Sequence, residues 1–161
     1  MGKPYSTEMA KLAETFSWAM DHDVTELKKA VQAAGSCPLL AIGSGGSLTA
    51  AHAICGLHRS LTGRLATVVT PLEAVATTLD PHFSAWLLSA SGRNVDILHA
   101  FRELVSQEPK QLSILCGKKD SPLGLLAKSH GFTDLVEFES PVGKDGFLAT
   151  NSLLAFITLL T

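Results

Sequence analysis

Five short apolar runs recur along the chain, and each is followed by a turn signal and then by a helical pattern. They lie at 38–42, 66–69, 85–88, 112–116 and 135–138. A continuous apolar run is typical of a strand that is buried on both faces. Strands that alternate with helices form a parallel sheet with helices on either side. The pattern therefore predicts an α/β domain, a three-layer sandwich around a five-stranded parallel sheet.

Helical spacing accounts for most of the remaining chain. A leading helical segment is predicted over 6–33, with Ser6 or Thr7 as its N-cap, and Gly35 ends it. Further helices are predicted at 47–61, 71–79, 94–107, 121–130 and 144–160. We expect residues 1–35 to pack on an α/β domain formed by 36–161. Because the chain stops at Thr161 inside an apolar helical run, two alternatives are open: the last helix is buried to its final residue, or the chain is the front part of a longer or tandem protein.

Composition narrows the class of protein. The 161 residues are 46% hydrophobic and 17% charged, with a net charge of −2, as in a soluble globular domain that has no affinity for nucleic acid. Three cysteines without C-x-x-C spacing and six scattered histidines predict no disulfide framework, metal site or cofactor, and they fit a reducing cytoplasm. No secretory signal is present, and the apolar stretch 146–160 is shorter than the roughly 18–20 residues of a membrane span.

Two loops rich in glycine and serine follow the first and third predicted strands. The first is Gly-Ser-Gly-Gly-Ser at 43–47, and the second is Ser-Ala-Ser-Gly-Arg-Asn at 89–94. In doubly wound sheets, ligands bind at the carboxyl ends of the strands. Glycines admit a ligand close to the backbone, and the N–H groups at the start of the next helix attract an anion. Hydroxyl groups suit a phosphorylated sugar, which combines an anion with neutral hydroxyls.

Other phosphate-binding motifs fit the first loop less well. A P-loop requires a lysine that the loop lacks, and the dinucleotide pattern G-x-G-x-x-G finds Leu48 at its third glycine. The acidic residue expected after the second strand of a dinucleotide fold is missing, since Val69 is followed by Thr70 and Pro71. The nucleophile elbow G-x-S-x-G is absent from both loops. A nucleotide-binding α/β domain remains a competing hypothesis.

Together the loops resemble the motifs of the sugar isomerase (SIS) domain, G-x-G-x-S and S-x-S-G-x-[ST]-x-[DE]. Asn94 stands where threonine is usual, and Asp96 keeps the acidic place. The resemblance implies a flavodoxin-like fold, a homodimer or homotetramer, and a phosphosugar bound across both loops. Carried over position by position, it implies Ser44 as a weaker candidate and the following substrate-binding residues: Gly45, Gly46, Ser47, Ser89, Ser91, Gly92 and Asn94.

Catalysis is less well supported by the same resemblance. Aldose–ketose isomerisation needs a base, usually a glutamate, and often a histidine that opens the sugar ring. The stretch VVTPLEA at 68–74 is similar to the H-P-x-E-A segment of arabinose-5-phosphate isomerases, but Ala76 replaces their histidine. Heptose-phosphate isomerases carry histidine and glutamate where this chain has Ala53 and Leu57. In glucosamine-6-phosphate synthase the catalytic base of the isomerase lies on the helix after the fifth strand, and a loose match places Ser152 at that position.

Glu73 and His52 are the remaining catalytic candidates. Glu73 also fits an exposed first-turn glutamate that the helix dipole favours, and His52 fits an ordinary surface histidine. Lys144 and Asp145 at the start of the last predicted helix fit a capping, solvated pair. Besides the nucleotide-binding alternative, the resemblance leaves two hypotheses open: a sugar-phosphate isomerase or related SIS enzyme, and a non-catalytic module that senses a phosphosugar.

Overall fold

The computed structural model describes residues 4–78, 80, 82–146 and 148–161. Its strands are β1 (Leu39–Ile42), β2 (Ala66–Val69), β3 (Ser84–Ser89), β4 (Gln111–Cys116) and β5 (Thr133–Glu137). Its helices are α1 (Tyr5–Met9), α2 (Leu12–Met20), α3 (Thr25–Ala34), α4 (Gly46–Thr62), α5 (Pro71–Val75), α6 (Val95–Gln107), α7 (Pro122–Lys128) and α8 (Asn151–Leu160).

All five strands pair in parallel, in the order β2-β1-β3-β4-β5. One face of the sheet is covered by α2, α3, α4 and α8, which share a core with Trp86 and Leu88 of β3. The other face is covered by α5, α6 and α7, which share a core with Leu87 of the same strand. The predicted three-layer α/β sandwich is confirmed, and its strand order is that of flavodoxin-like folds.

The topology places a crevice at the carboxyl ends of β1 and β3. These strands are hydrogen-bonded neighbours, with Ile42 opposite Leu87. The helices that follow them leave on opposite sides of the sheet, because α4 belongs to one core and α6 to the other. Such a topological switch point is where open α/β sheets bind their ligands. The two loops singled out in the sequence flank this crevice.

The single leading helix predicted over 6–33 is wrong, because three helices occupy this segment. A carboxylate oxygen of Asp23 accepts hydrogen bonds from the amide and the hydroxyl of Thr25, and this contact starts α3 afresh. Ser6 lies within α1, whose N-cap is Pro4. Apolar periodicity continues from α2 into α3 because both helices contribute to the same core, through Ala19 and Leu27.

The last predicted helix also begins later than expected, at Asn151 rather than at 144. Asp145 is the reason: its carboxylate accepts hydrogen bonds from the amides of Thr150, Asn151 and Ser152 at 2.9–3.1 Å. The helix predicted at 71–79 ends at Val75. Residues 1–3, 79, 81 and 147, which several predicted segments include, lie outside the described residues.

His58 and the three cysteines of the core have structural surroundings. His58 of α4 is buried, its Nε2 lies 3.0 Å from the carbonyl oxygen of Cys37, and burial lowers its pKa. All three cysteines are buried and unbridged, and burial raises the pKa of the Cys55 and Cys116 thiols. Across the described ranges, none of the helices combines the length and the hydropathy needed to cross a membrane.

Candidate functional site

The loop between β1 and α4 makes a turn that requires glycine. Gly45 has φ 54° and ψ −130°, a backbone conformation that residues with a Cβ rarely adopt. An ideal Cβ at Gly43 would lie 2.5 Å from the carbonyl oxygen of Ser47, so this position also excludes a side chain. A Cβ at Gly45 would meet nothing within 4 Å. The loop is therefore tight against its own helix and open above Gly45.

The N-terminus of α4 carries backbone donors without acceptors. Its N-cap is Gly45, which has no side chain to cap it. Ser47 N–H donates to the carbonyl of Ser44 at 3.1 Å, whereas the amides of Ser44, Gly45 and Gly46 donate to no acceptor in the described chain. The dipole of a 17-residue helix adds a partial positive charge at this end. Such a combination attracts an anion.

The other four helices that follow strands in the described chain are capped by side chains. Thr70 Oγ1 caps α5, Asn94 Oδ1 caps α6 and Ser121 Oγ caps α7, each accepting from a first-turn amide at 2.8–3.3 Å. Asp145 caps α8 with a full negative charge. Among these five helices, α4 is the one whose first turn has no side-chain cap in the described chain, although the amides of Ser47 and Leu48 donate to the carbonyls of Ser44 and Gly45.

Ser47 adds a hydroxyl to these free amides. It lies in the first turn of α4, its residue is only 7% exposed, and its Oγ has no hydrogen-bond partner in the described part of the chain. The residue is largely buried, but its Oγ is not one of the fully buried side-chain atoms that lack a partner in the described chain, so the hydroxyl reaches the protein surface. Ser47 is therefore ready to donate to an anion bound at the start of α4.

The second loop is held by its own side chains. Ser89 Oγ accepts from the Gly92 amide at 3.0 Å, and Ser91 Oγ accepts from the Arg93 amide at 3.4 Å. Asn94 Oδ1 accepts from the Asp96 amide at 2.8 Å as it caps α6. Each of these bonds uses an acceptor, so the hydroxyl protons and the Asn94 Nδ2 group remain available as donors.

Gly46 and Gly92 pack against other parts of the chain. A Cβ at Gly46 would collide with the side chain of Ala149, just before α8, and a Cβ at Gly92 would collide with Ser121. The sequence predicts that these two glycines let a ligand approach the backbone. In the structure, the space beside each glycine is occupied by another segment of the chain. Gly45 is the glycine of the set that faces open space.

The two candidate catalytic residues have surface environments. Glu73 is exposed, and its Oε2 accepts from the amide and the hydroxyl of Thr70 at 2.7 and 2.9 Å, which completes a capping box. These hydrogen bonds lower the pKa of Glu73. His52 is exposed on α4. No group of three histidine, cysteine, aspartate or glutamate side chains that could hold a metal ion occurs in the ranges that the structure describes.

Glu8 is a residue that sequence reasoning missed. It belongs to α1 and is only 3% exposed. Its carboxylate accepts hydrogen bonds from the amide of Gly146 and from the hydroxyl of Thr150, both beside the start of α8. The sequence carries no signal for this contact, because the partners are 138 and 142 residues away.

No family model and no curated protein matches the chain by sequence. Several solved structures, however, align with the fold of this chain. A Listeria monocytogenes protein proposed to be a sugar-phosphate isomerase aligns with TM-score 0.72 at 21% identity, over 99% of this chain and 87% of that one. The sugar isomerase domain of an RpiR transcription factor from Sphaerobacter thermophilus aligns with TM-score 0.64 at 19% identity, over 97% and 84%.

The NanR protein of Vibrio vulnificus, complexed with ManNAc-6P, aligns with TM-score 0.76 at 16% identity, over 96% of this chain and 59% of NanR. The chain has the sugar isomerase (SIS) fold. It spans more than four fifths of the first two proteins and about three fifths of NanR. At these identities the SIS likeness establishes the fold, and the ligand has to be argued from the residues of the site.

The packing of Gly46 gives a stability prediction for this SIS fold. Gly46→Ala should destabilise the protein, because overpacking against Ala149 costs about 1–3 kcal/mol and outweighs the roughly 1 kcal/mol gain in helix propensity. Gly56→Ala in the same helix is the matched control, since a Cβ there meets nothing within 4 Å. It should stabilise the protein. Chemical denaturation measures both, and equal effects would contradict the packing.

Proposed function

We propose that this protein binds a sugar phosphate in the crevice between the loops 43–47 and 89–94, with the phosphate at the start of α4. The observation that carries the proposal is the uncapped N-terminus of α4 beside four capped helices. A phosphate oxygen placed there would accept from the amides of Ser44 to Gly46, and from Ser47 Oγ. Charge-assisted bonds of this kind are among the stronger hydrogen bonds in proteins.

The second loop suits the sugar. Ser89 and Ser91 offer hydroxyl groups and Asn94 offers an amide, which can each donate to the neutral hydroxyls of a carbohydrate. Arg93 supplies the single cation within either loop, and its side chain is exposed. NanR, which shares this fold, is complexed with a phosphorylated sugar, ManNAc-6P. That likeness supports a phosphosugar over a nucleotide.

Of the two forms of this proposal, the contacts favour a binding module that senses the phosphosugar. Glu73 is engaged with Thr70 in a capping box, and these hydrogen bonds lower its pKa, which makes it a weaker base than a free glutamate. The likeness to a protein proposed to be a sugar-phosphate isomerase favours the second form, in which Glu73 or His52 moves a proton. Turnover separates the two.

The same proposal includes a homodimer or homotetramer in the cytoplasm, without nucleic acid as a ligand of this domain. Four large apolar side chains of the leading helices are 43–62% exposed: Tyr5, Met9, Phe16 and Met20. They offer apolar surface to a second copy of the chain. Buried, unbridged cysteines agree with a reducing compartment. Sedimentation that shows a monomer at micromolar concentration would contradict the oligomer.

Ligand binding gives the first test. A sugar phosphate should raise the melting temperature, because a ligand that binds the native state stabilises it by RT ln(1 + [L]/Kd). Its free sugar should not. In Ser47→Ala the affinity should fall about 10- to 100-fold, the loss expected for a hydrogen bond to a charged group. The unliganded protein should keep its melting temperature, since Ser47 Oγ has no partner in the described chain.

Ser60→Ala is the matched control, an exposed serine near the far end of the same helix. It should leave the affinity unchanged. A panel of sugar phosphates, free sugars, inorganic phosphate and nucleotides identifies the ligand by thermal shift, and calorimetry measures the affinity. Stabilisation by nucleotides alone, or equal affinities of the two serine variants, would overturn the proposal.

Substitution of Glu73 tests the catalytic form. The variant Glu73→Gln should lower the melting temperature, because it removes the charged partner of the Thr70 amide, and it should retain sugar-phosphate affinity. Wild-type protein should not interconvert the aldose and ketose forms of the sugar phosphate that it binds. Proton NMR of the ligand over hours measures turnover. Conversion by wild type that is lost in Glu73→Gln would establish the isomerase instead.

A further inference from the structure

The leading helices reach the candidate site through a buried carboxylate. Glu8 of α1 accepts a hydrogen bond from the Gly146 amide and another from Thr150 Oγ1, at 3.1 Å for Thr150. Its backbone carbonyl accepts a third bond, at 3.1 Å, from the side-chain amide of Asn151. One residue of a five-residue helix thus holds three residues around the start of α8.

A second leading helix contributes to the same cluster. Thr15 of α2, which is fully buried, donates to Asn151 Oδ1 at 2.7 Å. Asp145 approaches from the other side and accepts from the amides of Thr150, Asn151 and Ser152. Thr150 and Asn151 are therefore held between the leading helices and Asp145.

This fixed segment touches the first loop of the site. Ala149 lies next to Thr150 in sequence and packs against Gly46 so closely that a Cβ on Gly46 would collide with it. Gly46 is the first residue of α4, whose free amides form the proposed phosphate site. A continuous path of contacts thus leads from Glu8 through Thr150 and Ala149 to Gly46.

We propose that Glu8 is a positioning residue for the phosphosugar site, so that α1 belongs to the binding unit. This inference rests on the proposed function. Glu8 holds Thr150 and Gly146, these residues place Ala149 against Gly46, and that contact fixes the direction of the amides at the start of α4. When Glu8 is replaced by glutamine, one of its acceptors becomes a donor, and the segment before α8 loses a hydrogen bond.

The direction in which Glu8→Gln changes the affinity for the sugar phosphate distinguishes a positioning role of Glu8 from an electrostatic one. Glu8 and Asp145 are both acidic residues, and Thr150 Oγ1 lies within 3.3 Å of a carboxyl oxygen of each. Removal of one negative charge would by itself strengthen the binding of an anion. Loss of positioning weakens it instead. Weaker binding by Glu8→Gln is therefore a result that charge alone does not produce.

The experiment compares Glu8→Gln with Glu14→Gln, an exposed glutamate in the first turn of α2. Affinity for the sugar phosphate identified by thermal shift is measured by calorimetry on protein that circular dichroism shows to be folded. We expect Glu8→Gln to weaken binding at least fivefold and Glu14→Gln to leave it within twofold. Unchanged or tighter binding by folded Glu8→Gln would overturn the inference.

A second readout does not depend on the ligand. In ¹⁵N–¹H spectra of unliganded protein, Glu8→Gln should move the amide signals of Gly45, Gly46 and Ser47, whereas Glu14→Gln should not. If wild type binds no sugar phosphate, the proposed function fails while this readout still decides on the positioning. Unmoved signals at the start of α4 would overturn it.

Thr150 provides a test that leaves Glu8 in place. Thr150→Val removes the hydroxyl donor with little change in shape, and it should weaken binding as Glu8→Gln does. Thr150→Ser keeps the hydroxyl and should restore the wild-type affinity. Equal affinities for the valine and serine variants would show that the contact with Glu8 does not position the site.

Discussion

Burial of the central strands on both faces is the constraint from which the site follows. β1, β3 and β4 are buried along their whole length, so each must be covered by helices above and below the sheet. Neighbouring strands β1 and β3 meet this requirement by sending their following helices to opposite faces. The chain therefore separates at their carboxyl ends, which makes this edge the topological switch point of the sheet.

Electrostatics distinguishes one helix from the others at this edge. A side-chain oxygen accepts from one first-turn amide in each of α5, α6 and α7 and from two in α8, and thereby offsets part of the positive charge there. At α4 the N-cap is a glycine in a conformation that residues with a Cβ rarely adopt, so the N-cap residue itself supplies no side-chain acceptor. The same backbone geometry that leaves these amides unsatisfied also leaves the space above Gly45 open.

Much of the fold and both loops could be predicted from local sequence, because strand burial and loop composition are local properties. The strand at 66–69 and the helix from 95 to 107 agree with the prediction within a residue. The division of the leading segment into three helices could not be predicted, since it depends on short polar contacts such as that of Asp23 with Thr25. The role of Glu8 could not be predicted, because a glutamate within a helix gives no indication of a hydrogen-bond partner 142 residues away.

The roles of individual glycines and of Glu73 likewise depend partly on local sequence and partly on contacts that only the structure shows. Composition predicts that the loop 43–47 approaches something closely, and the structure shows that at Gly46 the neighbour is Ala149. A glutamate after Thr-Pro-Leu fits both a base and a cap, and the hydrogen bonds to Thr70 identify the cap. Local sequence thus locates a site, while long-range packing decides which of its residues remain free for a ligand.

The central claim is that the free amides of α4 receive the phosphate group. The most direct measurement is a titration of ¹⁵N-labelled protein with a sugar phosphate, followed by the amide signals of Ser44, Gly45, Gly46 and Ser47. These signals should move more than those of the capped amides of Glu73, Asp96 and Gly124, and the free sugar should not move them. Movement confined to the capped helices, or to residues away from both loops, would contradict the account.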